Sequence, residues 1–154
     1  MEIEILSRSK NKGLVELLDK SAWFFAEKLK VTKCNYKVFI CTKRGLKKEG
    51  HMGLCAKTGD REITVAVDGA LPLPNILYTL AHEMVHVKQY CRGQYRSEVA
   101  RNGRFRRYWL GKQVIAKYED RPWELEAFKR EGILVSQLLE HVVAQKRKQN
   151  KKRS

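Results

Sequence analysis

The sequence predicts an α+β fold built as one domain. Three stretches repeat apolar residues at helical spacing, and three short segments between the first two are rich in β-branched and aromatic residues. A chain of 154 residues is long enough to bury one core but short for two. We therefore expect a single domain over residues 1–145, ordered as helix, short three-stranded sheet, helix, basic excursion and long helix. A basic tail over residues 146–154 is expected to be disordered.

The first half of the chain contains the predicted N-terminal helix and the sheet. Residues 13–29 carry apolar side chains at helical spacing, which would cover one face of the sheet. Residues 36–42 (YKVFICT) and 61–67 (REITVAV) have the composition of strands, and the second alternates apolar with other side chains. A third strand over residues 53–57 is expected to form a hairpin with REITVAV around the Thr-Gly-Asp turn at residues 58–60.

The second half of the chain contains two predicted helices. The first of these is expected over residues 75–91, after a break that contains two prolines. The last is expected to begin at Asp120, an N-cap candidate with Pro122 in the first turn, and to end near residue 144. Residues 92–120 between them combine glycines with arginines and predict a basic excursion rather than a regular element.

Composition narrows the functional classes. Thirty-two Lys and Arg against 17 Asp and Glu leave a formal charge of +15, which favours polyanionic partners such as nucleic acid, ribosomes or an acidic membrane face. The amino-terminal sequence does not resemble a secretory signal, and no apolar run approaches the roughly 18 residues of a membrane helix. The four cysteines contain no CxxC pair, so reduced thiols are expected. We expect a cytoplasmic protein without a membrane partner.

The stretch LAHEMVHVKQY contains the motif HExxH, formed by His82, Glu83 and His86. Residues four apart on a helix project from one face, so both imidazoles could reach a single Zn²⁺ with the carboxylate beside them. With this composition, a chance HExxH has a probability of roughly 0.01. The alternative is an amphipathic helix whose histidines bind no metal. His51 and His141 are weaker ligand candidates because of their positions in the chain.

A catalytic zinc site needs a third protein ligand, and the last helix offers carboxylates. Glu124 lies on the same helical stripe as a set of mostly apolar residues, Ala127, Phe128, Val135, Leu138, Leu139 and Val142. A buried carboxylate there requires compensation by a metal or by hydrogen bonds, so Glu124 is the preferred ligand, and a purely structural role is the alternative. Glu131 lies on the same stripe, as a competing ligand or an orienting residue. Glu126 is expected on a solvated face, paired with Arg130.

The HExxH motif, followed by Glu124 and Ala127 in WELEAF, resembles the gluzincin branch of zinc metallopeptidases, whose second helix carries an ExxA pattern. The order of elements over residues 13–142 resembles minimal intracellular zincins, including SprT-like and ImmA-like proteins of bacteria and phages. Many gluzincins have an acidic residue or Asn after this alanine that orients a metal-binding histidine, whereas this chain has Phe128. The resemblance implies a minimal zincin-like domain.

The resemblance also implies the chemistry. Zn²⁺ would be held by His82, His86 and Glu124, and peptide bonds of a protein or peptide substrate would be hydrolysed by a zinc-activated water with Glu83 as general base. A tyrosine could stabilise the developing oxyanion, with Tyr118 and Tyr108 as the candidates; packing residues are the alternative for both. The REITVAV strand would be an edge that pairs with an extended substrate, or else an ordinary core strand.

The composition of the basic excursion, residues 92–120, suggests an alternative function. Aromatic residues alternate with its arginines, a composition suited to phosphate contacts and base stacking, although a solvated loop with packed aromatics would look the same. A tight turn is predicted at residues 109–112 (WLGK). The alternative function is therefore a basic nucleic-acid-binding or assembly protein with a structural or vestigial metal site. The candidate contacts to nucleic acid are Arg101, Arg104, Arg106 and Arg107.

Overall fold

The computed structural model describes residues 1–6 and 11–154 and confirms the α+β class. Within these residues the chain forms three α-helices and seven strands. The helices are α1 (Lys12–Lys28), α2 (Leu73–Cys91) and α3 (Pro122–Arg153). The strands are β1 (Glu2–Ile5), β2 (Lys37–Lys43), β3 (Gly53–Gly59), β4 (Glu62–Asp68), β5 (Tyr95–Val99), β6 (Phe105–Trp109) and β7 (Lys112–Gln113).

The main sheet has the strand order β1-β2-β4-β3 among the described residues, one strand more than the sequence predicted. β1 and β4 both run parallel to β2, whereas β3 is antiparallel to β4. Of the two alternatives predicted for REITVAV, the edge strand is wrong and the ordinary core strand is confirmed, because β4 pairs on both sides. Its inward-facing Ile63, Val65 and Val67 are fully buried, so the segment is a core strand and β3 is the edge beside α2.

The helices cover the sheet through apolar faces. In α1, Leu18, Ala22 and Phe25 are fully buried in the core, as the spacing predicted. The helix begins after Asn11, whose side chain accepts a hydrogen bond from the backbone of Leu14 at 3.1 Å. The buried face of α2 packs against α1, the sheet and α3, and this contact with α3 brings the two predicted ligand helices together.

The long helix α3 differs from the prediction at both ends. Its N-cap is Arg121 rather than Asp120, which lies in a short 3₁₀ turn before the helix, although Pro122 does occupy the first turn. The helix continues to Arg153, so the predicted disordered tail is helical. Lys, Arg and Gln favour helices, no glycine or proline interrupts residues 144–153, and cations near a helix C-terminus interact favourably with its dipole. All residues from 139 to 154 are exposed.

The predicted basic excursion folds into a second, antiparallel sheet with the order β5-β6-β7 among the described residues. The turn predicted at residues 109–112 is confirmed: it joins β6 to β7, and both Leu110 and Gly111 have positive φ, at 49° and 82°. These strands were not predicted from the sequence, because their side chains are mostly half-buried or exposed and show no alternation of apolar and polar residues.

The described helices include none that is long and apolar enough to cross a membrane.

Candidate metal centre

The helix α2 presents the two motif histidines on one face, one turn apart. Their rings lie 4.9 Å between centroids, and their side chains are only 10% and 12% exposed. Neighbouring Leu80, Met84 and Val87 are fully buried in the core. This apolar stripe anchors the helix, so that His82 and His86 point towards α3 rather than solvent.

Glu124 is the carboxylate that meets both imidazoles. Its Oε2 lies 3.1 Å from Nε2 of His82 and 3.4 Å from Nε2 of His86. One turn later, Ala127 is fully buried, and its small side chain allows the close approach of α3 to α2. The first turn of α3 therefore supplies the third donor.

The donor set can hold a metal ion. The three ligand atoms of His82, His86 and Glu124 all lie within 4.8 Å of one another. In a tetrahedral site with bonds of about 2.0–2.1 Å, neighbouring donors are about 3.3 Å apart, which is close to the two measured nitrogen–oxygen distances. Two imidazole nitrogens and one carboxylate oxygen suit zinc and other divalent transition metals.

Each histidine is oriented through its second ring nitrogen. Glu131 Oε2 lies 2.8 Å from Nδ1 of His82, and Gln89 Oε1 lies 2.8 Å from Nδ1 of His86. Because these acceptors bind the Nδ1–H of each ring, both Nε2 atoms face Glu124, where a metal ion could take the place of their protons. Of the two roles predicted for Glu131, the structure favours the orienting one. The role of Gln89 was not predicted, although a polar side chain three residues after a ligand on the same helix was its available signal.

A buried ion pair supports Gln89 and connects it to α3. The Gln89 amide donates to the Trp123 carbonyl at 2.9 Å and to Glu126 at 3.0 Å. Glu126 also pairs with Lys88, whose side chain is only 3% exposed. The predicted pair of Glu126 with Arg130 is present at 3.1 Å. The prediction that Glu126 lies on a solvated face is wrong, because its side chain also binds Lys88 and Gln89 of α2 and is only 20% exposed.

The electrostatics of the metal-free cluster keep its charges paired. Burial lowers the pKa of His82, but hydrogen bonds to Glu124 and Glu131 outweigh it and raise the pKa to about 9. Burial also lowers the pKa of His86, but its hydrogen bond to Glu124 and the nearby Glu83 carboxylate outweigh burial and raise it. Burial also opposes ionisation of Glu124, yet its bonds from the two imidazoles hold its pKa well below the usual carboxyl range. A divalent cation would replace the imidazole protons here.

Glu83 is 5% exposed and lies beside the cluster. Burial raises the pKa of this carboxyl to about 7, against the lowering effect of His86 and His82. The edge strand approaches it closely at Gly53: a Cβ there would lie 2.7 Å from Glu83 Oε1 and 2.6 Å from Thr79 Cγ2. A larger residue at position 53 would therefore have to displace the Thr79 and Glu83 side chains.

Two cavities flank the cluster and share His51, Gly53, His82, Glu83 and Tyr118 as lining residues. The larger, about 750 Å³, is walled mainly by apolar side chains that include Met52, Pro74, Tyr78 and Phe128. The smaller cavity, about 260 Å³, is also lined by three aromatic residues (Tyr90, Tyr95 and Trp123) and two arginines (Arg107 and Arg121). Together they form a cleft that passes the metal ligands on both sides.

The structure separates the two tyrosine candidates. Tyr118 lines both cavities and donates its hydroxyl to Glu124 Oε2 at 3.0 Å; burial and that carboxylate raise its pKa. Tyr108 donates to Glu98 on the second sheet at 2.7 Å and is not among the described residues that line either cavity. Tyr118 alone is therefore positioned to act at the cluster.

Several other predicted residues lie away from the ligand cluster or on a different surface. Phe128, Leu139 and Val142, expected on the buried stripe of α3, are exposed. Phe128 instead lies in the larger cavity with its ring 4.8 Å from that of His82. His51 lines both cavities without joining the ligand cluster, and His141 packs 5.1 Å from the ring of Phe24.

Of the four arginines predicted to contact nucleic acid, only Arg107 faces the cleft. Arg101, Arg104 and Arg106 are exposed at and beside the turn between β5 and β6. The strand register explains this division, because Arg107 lies opposite Ser97 whereas Arg106 lies opposite Glu98, and successive residues of a strand face opposite sides of a sheet.

Comparisons with protein-family models, with curated proteins and with solved structures found no match for this chain.

Proposed function

We propose that this protein is a zinc-dependent metallopeptidase that hydrolyses peptide bonds with Glu83 as general base. The observation that carries the proposal is the convergence of His82, His86 and Glu124 beside Glu83 in an open cleft. Three protein ligands with space for solvent or substrate distinguish catalytic zinc sites from structural ones, which are closed by four.

Zinc is the proposed metal because its catalytic sites commonly combine two histidines with one glutamate. A bound zinc ion would lower the pKa of a water molecule and polarise the substrate carbonyl. The chain's own part is to hold the imidazoles through Glu131 and Gln89, so that the donor atoms remain aligned during the reaction.

Glu83 would move the proton. It would accept a proton from the attacking water as the oxygen bonds to the carbonyl carbon, then deliver it to the amine nitrogen as the carbon–nitrogen bond breaks. Burial supports this role because it brings the carboxyl pKa towards neutrality in the metal-free protein. Tyr118, whose hydroxyl lies at Glu124, is the proposed donor to the oxyanion.

The edge strand β3 is the proposed binding site for the substrate backbone. It is paired only with β4 among the described strands, so its other edge has backbone groups available to an extended peptide. Gly53 brings this edge against Glu83. A peptide added to β3 would cross the cleft directly in front of the metal ligands.

The decisive experiment separates metal binding from catalysis. Glu83→Gln should retain one zinc per chain while kcat/KM on a peptide falls by about 100- to 10,000-fold, because the amide cannot accept the proton. Glu140→Gln, on the exposed surface of α3, is the matched control and should leave activity unchanged. Undiminished hydrolysis by zinc-loaded Glu83→Gln would refute the assigned base.

The proposed ligand set has its own test. Glu124→Ala should greatly reduce zinc content, because it removes one of three ligands. Zinc content equal to the wild type would transfer the role of ligand to another carboxylate.

The proposed activity belongs to a reducing compartment. All four cysteines of the chain lie in the described part and are free thiols, which glutathione and thioredoxin maintain in the cytosol.

A second candidate function is non-specific nucleic-acid binding. The observation in its favour is the exposed end of α3, which carries Lys146, Arg147, Lys148, Lys151, Lys152 and Arg153 on a helix beyond the core. Affinity for DNA should then fall steeply with salt, and neutralising Lys151, Lys152 and Arg153 together should lower that slope. A salt-independent affinity would exclude this candidate.

A further inference from the structure

The smaller cavity contains two guanidinium groups that come from different elements. Arg107 lies on β6 of the second sheet, and Arg121 immediately precedes α3. Both line this cavity together with Glu83 and Glu124, and both are half-buried. The second sheet therefore contributes a wall of the cleft rather than a separate surface.

Both arginines contact uncharged groups of the protein. Arg121 donates to the Ala116 carbonyl at 3.5 Å and lies 5.5 Å from the Tyr118 ring, while Arg107 lies 5.8 Å from the Phe105 ring. In the described part of the chain, neither forms an ion pair with a carboxylate. By contrast, Arg96 and Arg130 pair with Glu98 and Glu126.

The direction of β3 relates the cavities to the polarity of a bound peptide. Of the two cavities, Gly50 and Met52 line the larger, Leu54 and Cys55 line the smaller, and His51 and Gly53 line both. The chain therefore runs from the larger cavity towards the smaller one as it enters β3. Antiparallel pairing is the more stable geometry for an added strand. A peptide bound in this way would pass from the smaller cavity to the larger, with the residues before the scissile bond beside the arginines.

We propose that Arg107 and Arg121 select substrates that carry an acidic side chain on the amino-terminal side of the cleaved bond. This inference rests on the proposed function. A carboxylate satisfies guanidinium donors with charge-assisted hydrogen bonds, and the partly enclosed cavity strengthens the attraction relative to open solvent. The aromatic walls formed by Tyr95 and Trp123 would pack against the methylene groups of a glutamate.

The test compares pairs of peptides that differ only by Glu or Gln at one position before the cleaved bond. Wild type should favour the Glu peptide by about 10-fold or more in kcat/KM, as expected for a hydrogen bond to a charged group. In Arg107→Gln and Arg121→Gln this ratio should fall towards one, because kcat/KM falls more for the Glu peptide than for the Gln peptide, while zinc content stays near wild type. Arg104→Gln, exposed and outside the cavity, should keep the ratio.

The result that overturns the proposal is a Glu to Gln ratio that is the same in wild type and in both cavity variants. The proposal would also be overturned if peptides with a free C-terminus were preferred over amidated ones and the Glu or Gln side chain had no effect. The arginines would then bind the terminal carboxylate. Competition by single-stranded DNA that disappears in Arg107→Gln would likewise overturn it and assign the cavity to nucleic acid.

Binding to zinc-loaded Glu83→Gln separates this proposal from the proposed function. The affinities of fluorescently labelled Glu and Gln peptides for this variant are measured without turnover. An inactive wild type would refute the proposed peptidase activity, but the difference between the two affinities could still be measured. Tighter binding of the Glu peptide that is lost in the Glu83→Gln/Arg107→Gln double variant supports the acidic-residue pocket. Equal affinities for the two peptides refute it.

Discussion

Glu131 Oε2 lies 2.8 Å from Nδ1 of His82, while Glu124 Oε2 lies 3.1 Å from Nε2 of the same ring. The two carboxylates of α3 therefore hold one imidazole from opposite sides, two turns apart along the helix. The position directly after Ala127 offers no acceptor to a histidine, because Phe128 occupies it. Glu131 supplies the orienting acceptor instead.

Glu131→Ala should weaken zinc binding by about 10- to 100-fold, because His82 loses the acceptor that fixes its tautomer and orientation. Glu131→Gln retains an acceptor oxygen and should recover most of the affinity. Titration of the metal-free protein against a competing chelator measures both. Glu140→Ala on the same helix is the control, and an effect of Glu131→Ala no larger than that of the control would contradict the orienting role.

Gly53→Ala should lower both stability and hydrolysis. The new Cβ would lie 2.6 Å from Thr79 and 2.7 Å from the Glu83 carboxylate, so these buried side chains or the strand must shift, at about 1–3 kcal/mol of unfolding free energy. Gly132→Ala is the matched control, since its nearest atom is 3.9 Å away and alanine favours the helix by up to about 1 kcal/mol. Urea unfolding and kcat/KM are the measurements. An unchanged Gly53→Ala protein would show that the edge strand approaches Glu83 less closely.

Glu126→Ala should destabilise the fold by about 3 kcal/mol, because it leaves the Lys88 ammonium buried without a carboxylate. Lys88→Met should cost less, since methionine tolerates the buried site and Glu126 retains Arg130 and Gln89. The double variant should be less destabilised than the sum of the single variants, as urea unfolding would reveal. Strict additivity would mean that the pair contributes no coupling.

Asp68→Asn should destabilise the loop that walls the larger cavity. Asp68 is 2% exposed and accepts from the backbone of Lys47 and Ala70, each at 2.9 Å; an asparagine has only one oxygen to offer. The bonds from Lys47 and Ala70 lower the pKa of this carboxyl, so its stabilising effect is present above the unfolded-state pKa and lost as pH falls through the folded-state value. The difference in urea midpoint between variant and wild type should therefore be largest near neutral pH and shrink in acid. A difference that grows with acidity would contradict this account.

Local periodicity accounts for the parts of the site that could be predicted. The spacing of His82 and His86 places them on one face wherever a helix forms, and the apolar stripe that buries α2 determines the direction in which they point. The helical stripe of α3 also singled out Glu124 from its neighbours. The same reasoning was wrong for Phe128, Leu139 and Val142, because an apolar stripe is buried only where another element covers it.

The sequence by itself determined the class of fold and the HExxH face and favoured Glu124 over Glu131 as the third donor, because each depends on repeats within one helix or one strand. Only the tertiary structure decided that β3 rather than β4 is the edge, that Gln89 and Glu131 orient the histidines, and that Arg107 and Arg121 share a cavity. These relationships join residues 3 to 49 positions apart through strand order and helix packing. The position of a side chain in its helical or strand repeat does not specify which residue of another element will pack against it.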